Sequence, residues 1–291
     1  MVKQVVHRRV SKKGKPFIAG SKKVLPPLPE PKGFCIVRVN QLFKAFISFL
    51  NDWSKDINLS FIPGQGIYVL SMDPANVALV SYTFRNITVK AAVKKNFNTE
   101  ELSKVVRKAK NMDVLDFTLL NGKPAEGSKS GPDFIDVHNR MQNYTDRLAV
   151  SDVEVGGHEL KVPDLPKANY VANWNARAFA ELIDNASKTD KSGSLNLQGI
   201  EGKITYKVLR NNEIAFQGTV DVERGEFPKE VVTARYSIAY LKGLAKFLKH
   251  WDKLEGIIVR FGTDYPLIVT EVAPVDSANF KYILAPRIEQ E

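Results

Sequence analysis

The same helix entrance occurs twice in this chain. Phe97-Asn98-x-x-x-Leu102 and Tyr236-Ser237-x-x-x-Leu241 each set an aromatic before a helix cap and a leucine four residues after it, like a hydrophobic staple with its cap. Each helix leads into a β-branched strand. Two earlier helices fit the same layout more loosely, one after Asn40 and one after Asn175. Two similar halves, each with two helices over many strands, imply a pseudo-symmetric α+β protein.

The periodicity places the apolar helix faces. They are Phe43, Phe46, Ile47 and Leu50; Leu102, Val105, Val106 and Ala109; Phe179, Leu182, Ile183 and Ala186; and Leu241, Leu244, Ala245 and Leu248. Strands are expected at 35–39, 57–61, 66–70, 78–83, 88–93, 114–119 and 147–150. In the second half they are expected at 170–174, 195–197, 203–208, 213–220, 231–234, 257–261, 267–272 and 282–284. Residues 121–135 are rich in Gly, Pro, Ser and Lys and read as a long turn. Residues 152–167 lose all periodicity and mark the domain boundary. The expected division is a 1–33 extension, an N-terminal domain 34–151, a connecting loop 152–167 and a C-terminal domain 168–291.

The net charge of +10 is unevenly spread. Residues 1–33 carry nine basic residues against Glu30 alone, which leaves the body of the chain nearly neutral. With Pro26, Pro27, Pro29 and Pro31, that segment reads as a flexible tail ending in a stiff spacer. A contact with DNA phosphates or a partner, and a start site placed too far upstream, stand as alternatives. The chain as a whole is globular in composition, with 44% hydrophobic and 25% charged residues. It has no apolar run long enough to span a membrane and no signal-peptide pattern. The lone Cys35 excludes an internal disulfide and fits a reducing, intracellular setting.

The helix sides opposite the core carry more information. The second helix shows Lys104, Arg107 and Lys108, and the fourth shows Lys242, Lys246 and Lys249. The first shows Lys44. Acidic balance is largely missing from those faces of the second and fourth helices, which suits a polyanion contacted at many phosphates. The third helix is mixed, with Arg177, Glu181, Asp184 and Lys188.

No catalytic pattern accompanies these faces. His7, His138, His158 and His250 are scattered, and none stands at metal-ligand spacing with Cys35 or a carboxylate. Phosphate loops, dinucleotide fingerprints and nucleophile elbows are missing. Asp73, followed by Pro74, reads as a turn former. No cofactor, metal or enzymatic activity is expected.

Three separated segments resemble the PCNA-type sliding clamps of archaea and eukaryotes. They are Ser71-Met72-Asp73-Pro74-Ala75-Asn76-Val77-Ala78-Leu79-Val80, Phe261-Gly262-Thr263-Asp264-Tyr265-Pro266-Leu267 and Tyr282-Ile283-Leu284-Ala285-Pro286-Arg287-Ile288-Glu289. Leu160-Lys161-Val162-Pro163 falls where that family's interdomain connecting loop carries apolar residues. The resemblance spans residues 34–291 and is closest to archaeal members. It implies two clamp domains per chain and three chains in a ring. Helices would line the channel and sheets would form the outer wall. Met141–Val150 of one chain would pair with about Glu213–Val220 of the next.

The resemblance also implies sites. Lys44, Lys104, Arg107, Lys188, Lys242 and Lys246 match channel positions facing duplex DNA, and Lys108 and Lys249 are added by helical phase. Glu181 and Asp184 depart from the family's basic or neutral choices. Met72, Asn76, Val77, Leu160, Val162, Tyr265, Pro266, Ile283, Ala285 and Pro286 match the pocket that takes partner peptides with a Gln, an aliphatic and two aromatics. Ile283 stands where an aromatic is common. The implied partners are double-stranded DNA, DNA polymerase, flap endonuclease, DNA ligase and an ATP-driven clamp loader. Ring partners would be copies of the chain or related subunits. The implied setting is the archaeal cytoplasm, or the nucleus in a eukaryote. A basic DNA-binding protein that does not encircle its substrate is the alternative, with a hydrolase or transferase site around 151–167 as a third reading.

Overall fold

The computed structural model describes residues 33–85, 87–121, 133–153, 160–251, 256–273 and 278–287. Expectations for residues 1–32, for 122–132, for His158 in the connecting loop and for the Ile288-Glu289 tail lie outside these. The first half runs β1 (Cys35–Arg38), α1 (Gln41–Asn51), β2 (Asp56–Ile62), β3 (Gly66–Met72), β4 (Ala78–Phe84) and β5 (Ile87–Val89). It continues with β6 (Val93–Asn98), α2 (Thr99–Lys108), β7 (Val114–Asn121), β8 (Asp133–Asn139) and β9 (Tyr144–Ser151). The second half repeats the order with β10 (Tyr170–Asn175), α3 (Ala176–Thr189), β11 (Ser194–Ile200), β12 (Lys203–Arg210), β13 (Glu213–Asp221) and β14 (Gly225–Glu226). It ends with β15 (Val232–Ser237), α4 (Ile238–Leu248), β16 (Gly256–Gly262), β17 (Tyr265–Glu271) and β18 (Phe280–Leu284).

Local chemistry starts the helices where the sequence expects. Asn40, Asn98 and Asn175 are N-caps whose side-chain oxygens accept from the amides of Phe43, Glu101 and Ala178 at 2.7, 3.1 and 3.0 Å. Each satisfies one of the orphan amides of a first turn. Ser237 occupies the fourth cap, with no side-chain hydrogen bond. Two expectations need correction. The strand expected over 88–93 is two strands, because β5 pairs with β1 while β6 pairs with β2. The turn expected to run to residue 135 ends earlier, since β8 begins at Asp133 and pairs along its length with both β7 and β9.

Among the described residues, fourteen strands form one antiparallel sheet in the order β14-β10-β16-β17-β18-β4-β3-β2-β6-β9-β8-β7-β1-β5. A second sheet has the order β13-β12-β11-β15. The large sheet is continuous because the last strand of the chain, β18, pairs antiparallel with β4 from Phe280↔Tyr82 to Leu284↔Ala78. The helices form one layer in the order α2, α1, α4, α3, with α1 packing on both α2 and α4.

An aromatic cluster locks α1 to α4 above that strand pair. Phe247 is fully buried among the rings of Phe46, Phe49, Tyr82, Trp251 and Phe280. Gly243 permits the approach: a Cβ there would stand 3.0 Å from Phe49 Cδ2. Phe49 is a core residue beyond the expected face of α1, turned toward α4. Phe247→Ala is expected to cost about 3–5 kcal/mol through lost burial and a cavity. Urea unfolding reads this directly, and a cost below about 1 kcal/mol would mean that the cluster does not hold the halves.

Candidate functional site

The helix layer carries the first set of expected residues. Lys104, Arg107, Lys108, Lys188, Lys242, Lys246 and Lys249 are exposed and Lys44 is half-buried, while the opposite faces of the same helices are core. The expected shortage of counter-charges does not hold. Lys104 pairs with Glu100 at 2.6 Å, Lys108 with Asp146 at 2.5 Å, Lys246 with Asp52 at 2.5 Å, and Lys249 with Asp184. Three of these carboxylates come from another element, namely β9, the end of α1 and α3. The fourth, Glu100, sits in the first turn of α2, where it also favours the helix dipole. Asp184, odd in sequence, is the partner of Lys249. Hydrogen bonding to Asp146 raises the pKa of Lys108, and Lys104 lowers that of Glu100. Lys44 and Lys242 make no ion pair with the described residues.

The second set gathers on the other face of the sheet. Leu79, Ala168, Tyr265, Ile268 and Ile283 form a buried cluster separate from the main core, with Leu70, Met72, Leu160, Val162, Leu165 and Val171 packed against it. Five expected pocket residues therefore meet here: Met72, Leu160, Val162, Tyr265 and Ile283. Val77 instead packs against the main core. Its carbonyl accepts from the amide of Ala285 at 2.8 Å. Asn76 is exposed, at φ 58° in the turn after β3. Pro266, Ala285 and Pro286 are half-buried beside cluster members.

No expectation from the sequence places Leu70, Leu79, Leu165, Ala168, Val171 or Ile268 in this pocket. Alternation points to some of them, because Leu70 is two residues from Met72 and Ile268 two from Pro266. The register makes the cluster a cross-strand row. Val171↔Arg260, Arg260↔Ile268, Ile268↔Ile283, Ile283↔Leu79 and Leu79↔Met72 are successive pairs. Directly opposed residues share a face. The segment 160–167 covers the row, and the Tyr265 hydroxyl donates to the Pro166 carbonyl at 2.5 Å. The root of this loop is tied down by Lys95. Burial lowers its pKa, and hydrogen bonds to Asp133 and Asp152 outweigh that and raise it.

Asp73 stands between the two faces. Its carboxylate accepts from the amides of Ala75, Val77 and Ala78 at 3.0, 2.7 and 2.6 Å, and from the Tyr240 hydroxyl at 2.9 Å. Asp73 is 4% exposed. The turn reading therefore holds, and the fourth donor ties the turn to the first turn of α4. On the helix side, Asp73, Pro74, Trp53, Tyr240 and Lys242 line a cavity of about 440 Å³.

Two of the strand edges left open among the described residues bear on assembly. Among the described residues β13 pairs only with β12, and Ile214 on it is 51% exposed. β9 pairs with β6 only at Asn96↔Ser151 and Phe97↔Val150, so the rest of that edge is free. Met141, in the turn before β9, is 56% exposed. Groups of three or more potential metal-ligating side chains do not occur among the described residues, and no described helix is long and apolar enough to cross a membrane.

Asp73→Ala is expected to cost at least about 2 kcal/mol, because it strands buried amide donors. Tyr240→Phe leaves three of the four donors engaged and is expected to cost no more than about 1 kcal/mol. Denaturant midpoints of the two variants check this, and equal costs would contradict the hub.

No protein-family model matches the chain. It is 27% identical over 239 residues to the DNA polymerase sliding clamp of Thermococcus gammatolerans, covering 79% of this chain and 88% of that protein. It superposes on A. fulgidus PCNA, solved with the C-terminal region of FEN-1, with a TM-score of 0.68, 17% identity and coverage of 88% and 99%. A PCNA2–PCNA3 complex from Sulfolobus tokodaii gives a TM-score of 0.67 at 15% identity, with coverage of 87% and 99%. The chain is similar in sequence to archaeal DNA polymerase sliding clamps and carries the fold of the solved PCNA structures.

Proposed function

We propose that the chain is a non-catalytic subunit of a DNA sliding clamp, which encircles duplex DNA, confers processivity on DNA polymerase and recruits replication and repair enzymes. The observation that carries this reading is the two-sided layout. Four helices carry cations on one side, exposed on three of them and half-buried on α1, and a continuous sheet presents an apolar cluster under a covering loop on the other. The reading divides the chain into clamp domains 34–151 and 168–291, joined by 152–167, with 1–33 as a basic extension. The free edge of β9 would meet β13 of the next subunit, which removes two exposed edges at once. Ring partners are copies of this chain or related subunits, as in the PCNA2–PCNA3 complex. The setting is the cytoplasm of an archaeal cell.

DNA contact in this reading falls to Lys44, Lys104, Arg107, Lys108, Lys188, Lys242, Lys246 and Lys249. Six of them sit on three helices that neighbour each other in the layer, α2, α1 and α4. The contacts are screened, exposed and individually weak. Retention is then topological rather than adhesive. Loaded by an archaeal clamp loader with ATP, the protein is expected to remain on nicked circular DNA and to run off after linearisation. Equal retention on both forms would favour a basic DNA-binding protein that does not encircle.

The docking site in this reading comprises Met72, Asn76, Val77, Leu160, Val162, Tyr265, Pro266, Ile283, Ala285 and Pro286, around the cluster beneath 160–167. Polymerase, flap endonuclease and ligase would bind there through short peptides. Met and aliphatic side chains make a surface that adapts to several partners. Leu160→Ala with Val162→Ala is expected to weaken such a peptide about tenfold or more, from lost apolar burial. The thermal midpoint should barely change, since both residues are half-buried. Unchanged affinity in a calorimetric titration would remove the docking assignment.

A further inference from the structure

The cross-strand row under the loop contains one cation. Arg260 stands between Val171 and Ile268 in register, so it shares their face of the sheet and lies two strands from Ile283. At about 4.8 Å per strand, that is about 10 Å from the middle of the apolar cluster. Arg260 is half-buried, and burial lowers its pKa. Its hydrogen bond to a described residue is a donation from Nη1 to the Thr270 hydroxyl at 2.9 Å. The nearest acid in the row is Glu226, paired with Val171 on the far side. Glu226 is held by Lys167 at 2.7 Å, and its charge acts on Arg260 through space without an ion pair. A guanidinium has five N–H donors in a planar fork suited to a carboxylate. Here most of that fork is unspent, at the edge of an apolar site and partly shielded from water, where a charge-assisted bond is stronger than on an open surface.

We propose that Arg260 is a specificity residue of the docking surface, which binds a carboxylate side chain of the incoming peptide beside its apolar anchors. This rests on the docking reading above. The occupant is an apolar-anchored peptide with an acidic residue about three extended positions from the anchor seated over Ile283, at about 3.3 Å per residue. A peptide with the same anchors but no acid would bind through the cluster alone. The site thus grades partners by charge as well as by shape, and the acid partner releases Arg260 from an unpaired, half-desolvated state.

The test uses the full chain and a set of synthetic peptides. Each carries the Gln, aliphatic and paired aromatic anchors, with a single Asp or its Asn twin placed in turn at each remaining position. One position is expected where Asp binds wild-type protein about tenfold more tightly than Asn, with the gain shrinking as salt is raised. In Arg260→Gln that gain should vanish, while the Asn peptide binds both proteins within about twofold. Arg260→Lys should keep part of the gain. The wild-type comparison needs no variant, so misfolding of Arg260→Gln does not rescue the proposal. It is overturned if no position prefers Asp, or if the preference survives in Arg260→Gln. The Leu160→Ala, Val162→Ala protein separates the two readings. If that double change weakens the Asn peptide but no Asp preference exists, only the role of Arg260 falls. If that double change leaves every peptide unaffected, the docking surface falls, and Arg260's role with it.

Discussion

The pairing of β18 with β4 is the constraint on which the rest depends. Five residue pairs bring the end of the chain back to a strand some two hundred residues earlier. Closing so long a loop has a large entropic cost that local propensity cannot offset. The compensation lies on both faces of the joint. On one side Phe46, Phe49, Tyr82, Phe247, Phe280 and Tyr282 pack in edge-on and tilted ring contacts. On the other, Ile283 pairs with Leu79 and makes the two halves share one apolar row. Without that pairing β4 and β18 would both be open edges, and neither the helix layer nor the row would be continuous.

Asp73 shows how a buried charge is tolerated at such a joint. A carboxylate removed from water is costly unless its lone pairs are filled. Three backbone amides of one local turn and one distant hydroxyl fill them here. The same bonds place Met72 on the cluster side and hold the first turn of α4 on the helix side. Burial, and then Asp73, push the Tyr240 hydroxyl pKa upward, so the phenol stays a donor at ordinary pH. The turn is a fixed spacer between the two faces, which explains why a segment on the sheet side and a helix on the other keep their alignment.

Features governed by neighbours in sequence were legible. Asn40, Asn98 and Asn175 cap the helices expected of them, and the aromatic-cap-leucine repeat marks α2 and α4. Features governed by register were not. β8 is a seven-residue strand hidden behind a Gly- and Pro-rich stretch, and its Asp133, Asp136 and His138 dilute the apolar pattern of Ile135 and Val137. β4 is buried on both faces, so its run of apolar residues does not reveal that Leu79 belongs to one cluster and Val80 to another. Arg260 reads in sequence as an ordinary polar position in an alternating strand. Only the partners across β10 and β17 put it beside the apolar row.

The ion pairs on the helices sharpen the electrostatic side of the argument. From a helical wheel, α4 looks like a bare cationic stripe and α2 shows only Glu100 beside its cations, because Asp146, Asp52 and Asp184 belong to other elements. Once paired, Lys108, Lys246 and Lys249 are not free charges awaiting phosphate. A phosphate approaching any of them must compete with a carboxylate at contact distance, so the net gain per contact is small and falls further with salt. In the proposed DNA-binding role, Lys44, Arg107, Lys188 and Lys242, which make no ion pair with the described residues, would be the stronger contacts. For a ring that holds DNA by topology, shallow contacts are the useful ones. A deep electrostatic well at each phosphate would slow the sliding that the closed ring makes possible.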